Sequence, residues 1–204
     1  MLAYQQALCD MIASPDLCLR VRHGAQALAA YDLSARERDR LVHAARQRGM
    51  STSCTLHRVN RITPIYNYLP FTCALLGDDL MGEAERYWSE GKPGDLQFHP
   101  EILRFAAFLL RRIAEGAIAN AYIDDVLRYE LAMNELRWGI EPALRLISFA
   151  HAPEPLLTAL ADRKRPAPGS IPRGNHQLVI DARDGEIRVS VVTEDLAEDM
   201  VEAR

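Results

Sequence analysis

Arg58, Asn60 and Arg61 crowd into four positions of the segment Cys54-Thr55-Leu56-His57-Arg58-Val59-Asn60-Arg61, just ahead of Thr63-Pro64. Two guanidinium groups and an amide at this spacing can grip a carboxylate or a peptide backbone, because charge-assisted and bidentate donors bind planar acceptors well. Pro64 is expected to break the helix that carries them, and a pocket would form at that break. The plainer account is a helix surface that ends in a cap. Glu130 and Asn134, four residues apart, form a second polar row, bordered by Arg128 and Glu135. That spacing puts them on one helix face, where they suit an internal hydrogen-bond clamp better than catalysis.

The third candidate is a β-hairpin. Leu178-Val179-Ile180-Asp181-Ala182 and Glu186-Ile187-Arg188-Val189-Ser190-Val191 flank Asp184-Gly185. Asp-Gly between alternating β-branched runs is a strong hairpin signal. An open edge there could accept an extended peptide as an added strand, with Leu178, Ile180, Ile187, Val189 and Val191 as the side chains that read it. The alternative is a hairpin that only caps the helices, with its edge covered.

Other chemistry is poorly supplied. Cys54 and His57 share helix spacing, but a zinc site needs three or four ligands and no second pair is near. No metal site is assigned. The P-loop, G-x-G-x-x-G, G-x-S-x-G and H-E-x-x-H patterns are all missing from the sequence. Six scattered histidines offer no base with an evident orienting partner, so no catalytic residue is assigned. Seven arginines between Arg36 and Arg61 accompany a helix, glycine, helix pattern around Arg48-Gly49-Met50. That pattern would suit a helix-turn-helix on DNA. Glu37, Asp39 and the apolar Cys54, Leu56 and Val59 on the second helix weigh against it.

The elements that must position these residues divide into two parts. Residues 1–139 show helical periodicity, with a capping-box spacing at Ser34 and Glu37 and Gly49 where a C-cap glycine belongs. Ile102, Phe105, Leu109 and Ile113 mark the most apolar helix, and a long helix spans about 121–137. These faces need a bundle to hide them. Residues 140–204 read as a small α/β region: a strand at 144–150, a helical turn at 155–161, a Pro/Gly linker, the hairpin, and an acidic tail from 194. The fold expected is α+β, mostly α, with a helical bundle followed by a small antiparallel sheet.

With 204 residues, a core is attainable without disulfides or metal. The net charge of −4 does not favour nucleic acid as the partner. The 22 arginines against 2 lysines are what a GC-rich genome produces. Cys9, Cys18, Cys54 and Cys73 form no C-x-x-C pair and suit unpaired thiols in a reducing compartment. No apolar run reaches the roughly 20 residues of a membrane helix. The chain's start lacks a basic signal region. A cytoplasmic protein without membrane contact is expected.

Several stretches together resemble a known family. They are Arg48-Gly49-Met50, the segment from Cys54 to Arg61, Leu69-Pro70-Phe71-Thr72-Cys73-Ala74-Leu75-Leu76-Gly77, Phe105-Ala106-Ala107-Phe108-Leu109, Asp125-Val126-Leu127-Arg128-Tyr129-Glu130-Leu131-Ala132, and Phe149-Ala150-His151-Ala152-Pro153. They look like the partner subunits of multinuclear iron-dependent oxidases that modify ribosomally made peptides, as in biosynthesis of the copper chelator methanobactin. The likeness spans roughly residues 1–192. Ala152 departs from it, since an acidic residue is expected between His151 and Pro153.

The resemblance implies a non-catalytic subunit in a heterodimer with a barrel-shaped oxidase. The oxidase holds the iron, and this chain binds no cofactor. Together they oxidise peptide cysteine, with dioxygen, to oxazolone and thioamide groups. The precursor's leader would bind partly through the C-terminal β region, here the 178–191 hairpin. Arg58, Asn60, Arg61 and Asn134 are assigned to polar contacts with peptide or oxidase. Broader relatives carry a DNA-binding description, which keeps a helix-turn-helix regulator as the alternative function. An independent enzyme ranks third.

Overall fold

The structure is a computed structural model that describes residues 2–90, 98–140 and 142–192. The expected acidic tail from 194 and the stretch Gly91-Lys92-Pro93-Gly94, whose composition predicts a loop, lie outside the described residues. The fold is mostly helical with one small antiparallel sheet, as the periodicity predicts. The chain forms two compact units, Met1–Thr63 and Pro64–Arg204. The compositional change after Gly139 falls inside the second of these.

In the first unit, α1 (Leu2–Ala13) and α2 (Pro15–His23) are separated by Ser14, whose hydroxyl accepts the Leu17 N–H at 3.2 Å. Pro15 occupies the first helical position, where its missing N–H costs nothing. A short 3-10 turn at Ala25–Leu28 leads to α3 (Ala35–Arg46). Ser34 and Glu37 close the expected capping box: the Ser34 Oγ accepts the Glu37 N–H at 3.3 Å, and the Glu37 carboxylate accepts the Ser34 N–H at 2.8 Å. Met11, Val21, Leu28 and Leu41 have no exposed surface and form the centre of this unit's core.

Two expectations about α4 (Arg48–Tyr68) are corrected. Gly49 is not a C-cap, because α4 restarts at Arg48 after the extended Gln47 and so places Gly49 in its first turn. The Arg22 guanidinium binds the end of α3 instead, donating to the Ala45 carbonyl at 2.5 Å and to the Ser51 hydroxyl at 2.6 Å. Pro64 does not break the helix either. Thr63 Oγ1 donates to the Val59 carbonyl at 2.7 Å, and the ladder resumes with Leu69 N–H on the Ile65 carbonyl at 2.8 Å. Ile65 and Leu69 are fully buried, and their burial outweighs the one backbone bond that Pro64 removes.

The second unit contains α5 (Pro70–Leu76), α6 (Leu80–Glu90), α7 (Phe98–Ala114), α8 (Ile123–Arg137), β1 (Leu144–His151), α9 (Pro153–Ala161), β2 (Arg173–Asp181) and β3 (Arg188–Val191). Gly77 ends α5 at φ 55°, a conformation that favours glycine. Helix α8 is the hub, packed against α5, α7 and β1. This position explains why it buries Asp125, Glu130 and Asn134 along with Val126 and Leu136. Glu83 ties α6 to α7 by accepting Arg112 Nε at 2.9 Å and Nη2 at 3.0 Å.

The sheet order is β1-β2-β3, antiparallel throughout. Asp181 lies opposite Arg188, which is the register of a two-residue Asp184-Gly185 loop, but pairing stops there. Asp181 instead anchors the turn. It accepts the Arg183 N–H at 3.0 Å and the Arg183 guanidinium at 2.6 Å, and this pairing pulls its carboxyl down to about 2. Gly185 takes φ 82° in that turn. Ile187 is therefore outside β3 and half-buried, a correction to its placement in the strand.

Candidate functional site

The hairpin presents an edge whose geometry follows from its register. Val192 N–H donates to the Gln177 carbonyl at 2.8 Å, so 177 and 192 form a hydrogen-bonded pair. Pairs of this kind alternate along an antiparallel ladder. Ser190 opposite Val179 and Arg188 opposite Asp181 therefore bond inward to β2. The N–H and C=O groups of Val189 and Val191 point away from it, and β3 is at the end of the sheet order.

The side chains at this edge are apolar. Leu178 and Ile180 are buried, and their cross-strand partners are Val191 and Val189. The four share one face of the sheet, the face that also carries buried Ile147. Phe149 continues that face on β1 and meets Tyr129 of α8 edge-on at 6.4 Å. Val189 and Val191 remain 41% and 38% exposed. A strand added beside β3 would bond to the outward groups of these two valines. Its alternate residues would cover their side chains.

The Glu130 and Asn134 row lies elsewhere in the same unit and clamps the start of α5. Glu130 accepts the Phe71 N–H at 2.7 Å and the Thr72 N–H at 2.9 Å, two of the donors that a helix start leaves unpaired. Burial outweighs these bonds and pushes its carboxyl up to about 7. Asn134 Nδ2 donates to the Tyr68 carbonyl at 2.6 Å, which fixes the orientation of the amide. Its Oδ1 is buried and has no hydrogen-bond partner in the protein. Both residues line a cavity of about 180 Å³ together with Tyr68, Phe71, Met133 and Arg137.

A second buried carboxylate joins α8 to the sheet. Asp125 accepts the Ala150 N–H at 3.0 Å, the His151 N–H at 3.1 Å and His151 Nδ1 at 2.8 Å. Tyr122 stands edge-on to the His151 ring at 4.8 Å, and its hydroxyl donates to the Ala167 carbonyl at 2.8 Å. This His–Asp pair is one that sequence reasoning missed. The residues are 26 positions apart and no local spacing links them. The one signal was that both fall in stretches that carry the family resemblance.

Arg58, Asn60 and Arg61 lie on α4 in the first unit. Asn60 is exposed, Arg58 half-buried and Arg61 buried. The helix continues past them, so the pocket expected from a break at Pro64 loses its basis. Cys54 is buried and its thiol donates to the Met11 carbonyl at 3.5 Å. Among the described residues no group of three or more metal-ligating side chains gathers. The joint between α3 and α4 is the single residue Gln47, shorter than the 3–4-residue turn of a helix-turn-helix. No described helix is long and apolar enough to cross a membrane. Comparison with protein-family models, with curated proteins and with solved structures finds no match.

Proposed function

We propose that this chain is a non-catalytic, cytoplasmic partner subunit that presents a ribosomally made precursor peptide to an iron-dependent oxidase. The observation that carries the peptide-binding half is the β3 edge, which pairs with no further strand among the described residues and where the backbone groups of Val189 and Val191 face outward beside exposed apolar side chains. The leader would pair along this edge, with main-chain bonds giving affinity and alternate apolar residues giving register. The oxidase half rests on the sequence resemblance. The iron belongs to the partner subunit, which would oxidise peptide cysteine to oxazolone and thioamide. Asn60, exposed on α4, is the member of the Arg58-Asn60-Arg61 group best placed to touch that partner.

The test is co-expression with an oxidase-like gene neighbouring this one, followed by co-purification and iron analysis. A one-to-one complex that contains iron, with no metal on this chain alone, supports the proposal. A folded protein that binds neither the oxidase nor its precursor peptide overturns it.

A further inference from the structure

Glu130, Asn134 and Arg137 follow one another on α8 at i, i+4 and i+7, a single stripe of the helix. All three line the cavity of about 180 Å³ beside the start of α5. Glu130 is 5% exposed and Asn134 1% exposed. The Tyr68 carbonyl holds the Asn134 Nδ2, so Oδ1 is left as an acceptor without a donor. Each Glu130 oxygen takes one backbone N–H and keeps a second lone pair. Buried acceptors in want of donors carry a cost that a ligand can remove. Two such acceptors, one of them a carboxyl that is anionic above about pH 7, call for an N–H-bearing cation in that range, and aromatic walls from Tyr68 and Phe71 favour the same charge.

Arg137 calls for the opposite charge. It is exposed and makes no ion pair among the described residues. It stands one turn beyond Asn134, about 4.5 Å along the helix axis. A simple cation would leave Arg137 unmatched and repelled, and a simple anion would oppose Glu130. A ligand with both charges on neighbouring atoms satisfies the whole stripe. Phe71 and Met133 add apolar surface for the rest of it.

We propose that this cavity binds a free α-amino acid with an apolar side chain, its ammonium on Glu130 and Asn134 Oδ1 and its carboxylate on Arg137. The site is separate from the β3 edge, and its fate does not depend on the peptide-binding role. The test is a calorimetric titration of the whole chain with L-leucine, alongside the resonance of the Asn134 side-chain amide. Saturable binding that shifts this resonance is expected. N-acetyl-L-leucine, which lacks the ammonium, and isopentylamine, which lacks the carboxylate, should each bind about tenfold more weakly or worse, a difference of about 1.4 kcal/mol. Because Arg137 is exposed, Arg137→Gln should fold normally, lose affinity for leucine, and bind isopentylamine at least as tightly as before, since the repelling charge is gone. Absence of saturable binding by leucine, methionine and phenylalanine at millimolar concentration would mean that water alone fills the cavity, and would overturn the proposal. Equal binding of leucine and its N-acetyl form, or indifference to Arg137→Gln, would overturn it as well.

Discussion

Glu130 and Asn134 stand one turn apart on α8 and hold the two sides of one joint. Asn134 donates to the last carbonyl of α4, at Tyr68, while Glu130 accepts the first free N–H groups of α5, at Phe71 and Thr72. The helix dipoles favour the anion at a helix start, and the amide donor suits a helix end. Burial works against the anion. Its proton affinity rises from the ordinary 4.5 to about 7.

That shift gives a pH dependence with a definite sign. Between pH 4.5 and about 7 the folded chain holds a proton on Glu130 that the unfolded chain has released. Stability from this residue is therefore full below pH 4.5 and is lost as pH rises through about 7. Glu130→Gln keeps one acceptor oxygen and turns an NH₂ toward the other backbone donor, a cost of about 1–3 kcal/mol. The deficit of the variant should be largest in acid and should shrink as pH rises. Urea midpoints of both proteins across the range check this, and a constant difference would remove Glu130 as the titrating group.

Asn134 supports the same joint through one donor. Asn134→Asp would turn a carboxylate oxygen toward the Tyr68 carbonyl and bury a second carboxyl one turn from Glu130. It should cost more than Asn134→Leu, which leaves only the carbonyl unpaired, about 1–3 kcal/mol. Thermal or urea unfolding of the two variants sets the order. A harmless aspartate would mean that the amide donor carries no stability.

Features held by neighbours in sequence were legible from residue types, and those held by packing were not. The capping box at Ser34 and Glu37 spans three residues and appears as predicted. The hairpin signal at Asp184-Gly185 is also local: β2 and β3 pair as it predicts, but the turn closes one residue earlier, around Arg183 and Asp184, with the Gly185 N–H on the Ala182 carbonyl. Pro64 misled because its local effect is real but small beside the burial of Ile65 and Leu69. The Asp125–His151 pair could not be read at all, since only the packing of α8 on β1 brings the two residues together. The Glu130–Asn134 row was legible as a clamp from its spacing, but its targets at Tyr68, Phe71 and Thr72 lie 58 to 66 positions away.

Asp125 satisfies three donors with two oxygens, more than an amide can do. In Asp125→Asn either the Ala150 bond or both His151 bonds lose their acceptor, depending on which way the amide turns. Each buried donor so orphaned costs about 1–3 kcal/mol. The expected variant is clearly less stable, with faster amide exchange at Ala150 and His151 than elsewhere in β1. Unchanged exchange at those two positions would show that the carboxylate does not hold the strand end.

The β3 edge yields the sharpest contrast, because adjacent residues turn their backbone groups in opposite directions. The Val189 N–H faces outward and the Ser190 N–H bonds to β2. Proline is tolerated on an edge strand only where its missing N–H was on the open side. Val189→Pro should therefore leave the unfolding midpoint nearly unchanged, while Ser190→Pro removes a ladder bond and loosens the hairpin. Peptide pairing at the edge needs the Val189 donor that Val189→Pro deletes. Binding of the precursor's leader, measured by fluorescence anisotropy, should fall at least about tenfold in Val189→Pro, about 1.4 kcal/mol. The substitution Val189→Thr keeps the backbone donor and the β-branched shape, so it should retain most of the affinity. Full leader binding by a folded Val189→Pro protein would mean that the peptide is held elsewhere, and β3 would be a cap on the sheet and not its binding edge.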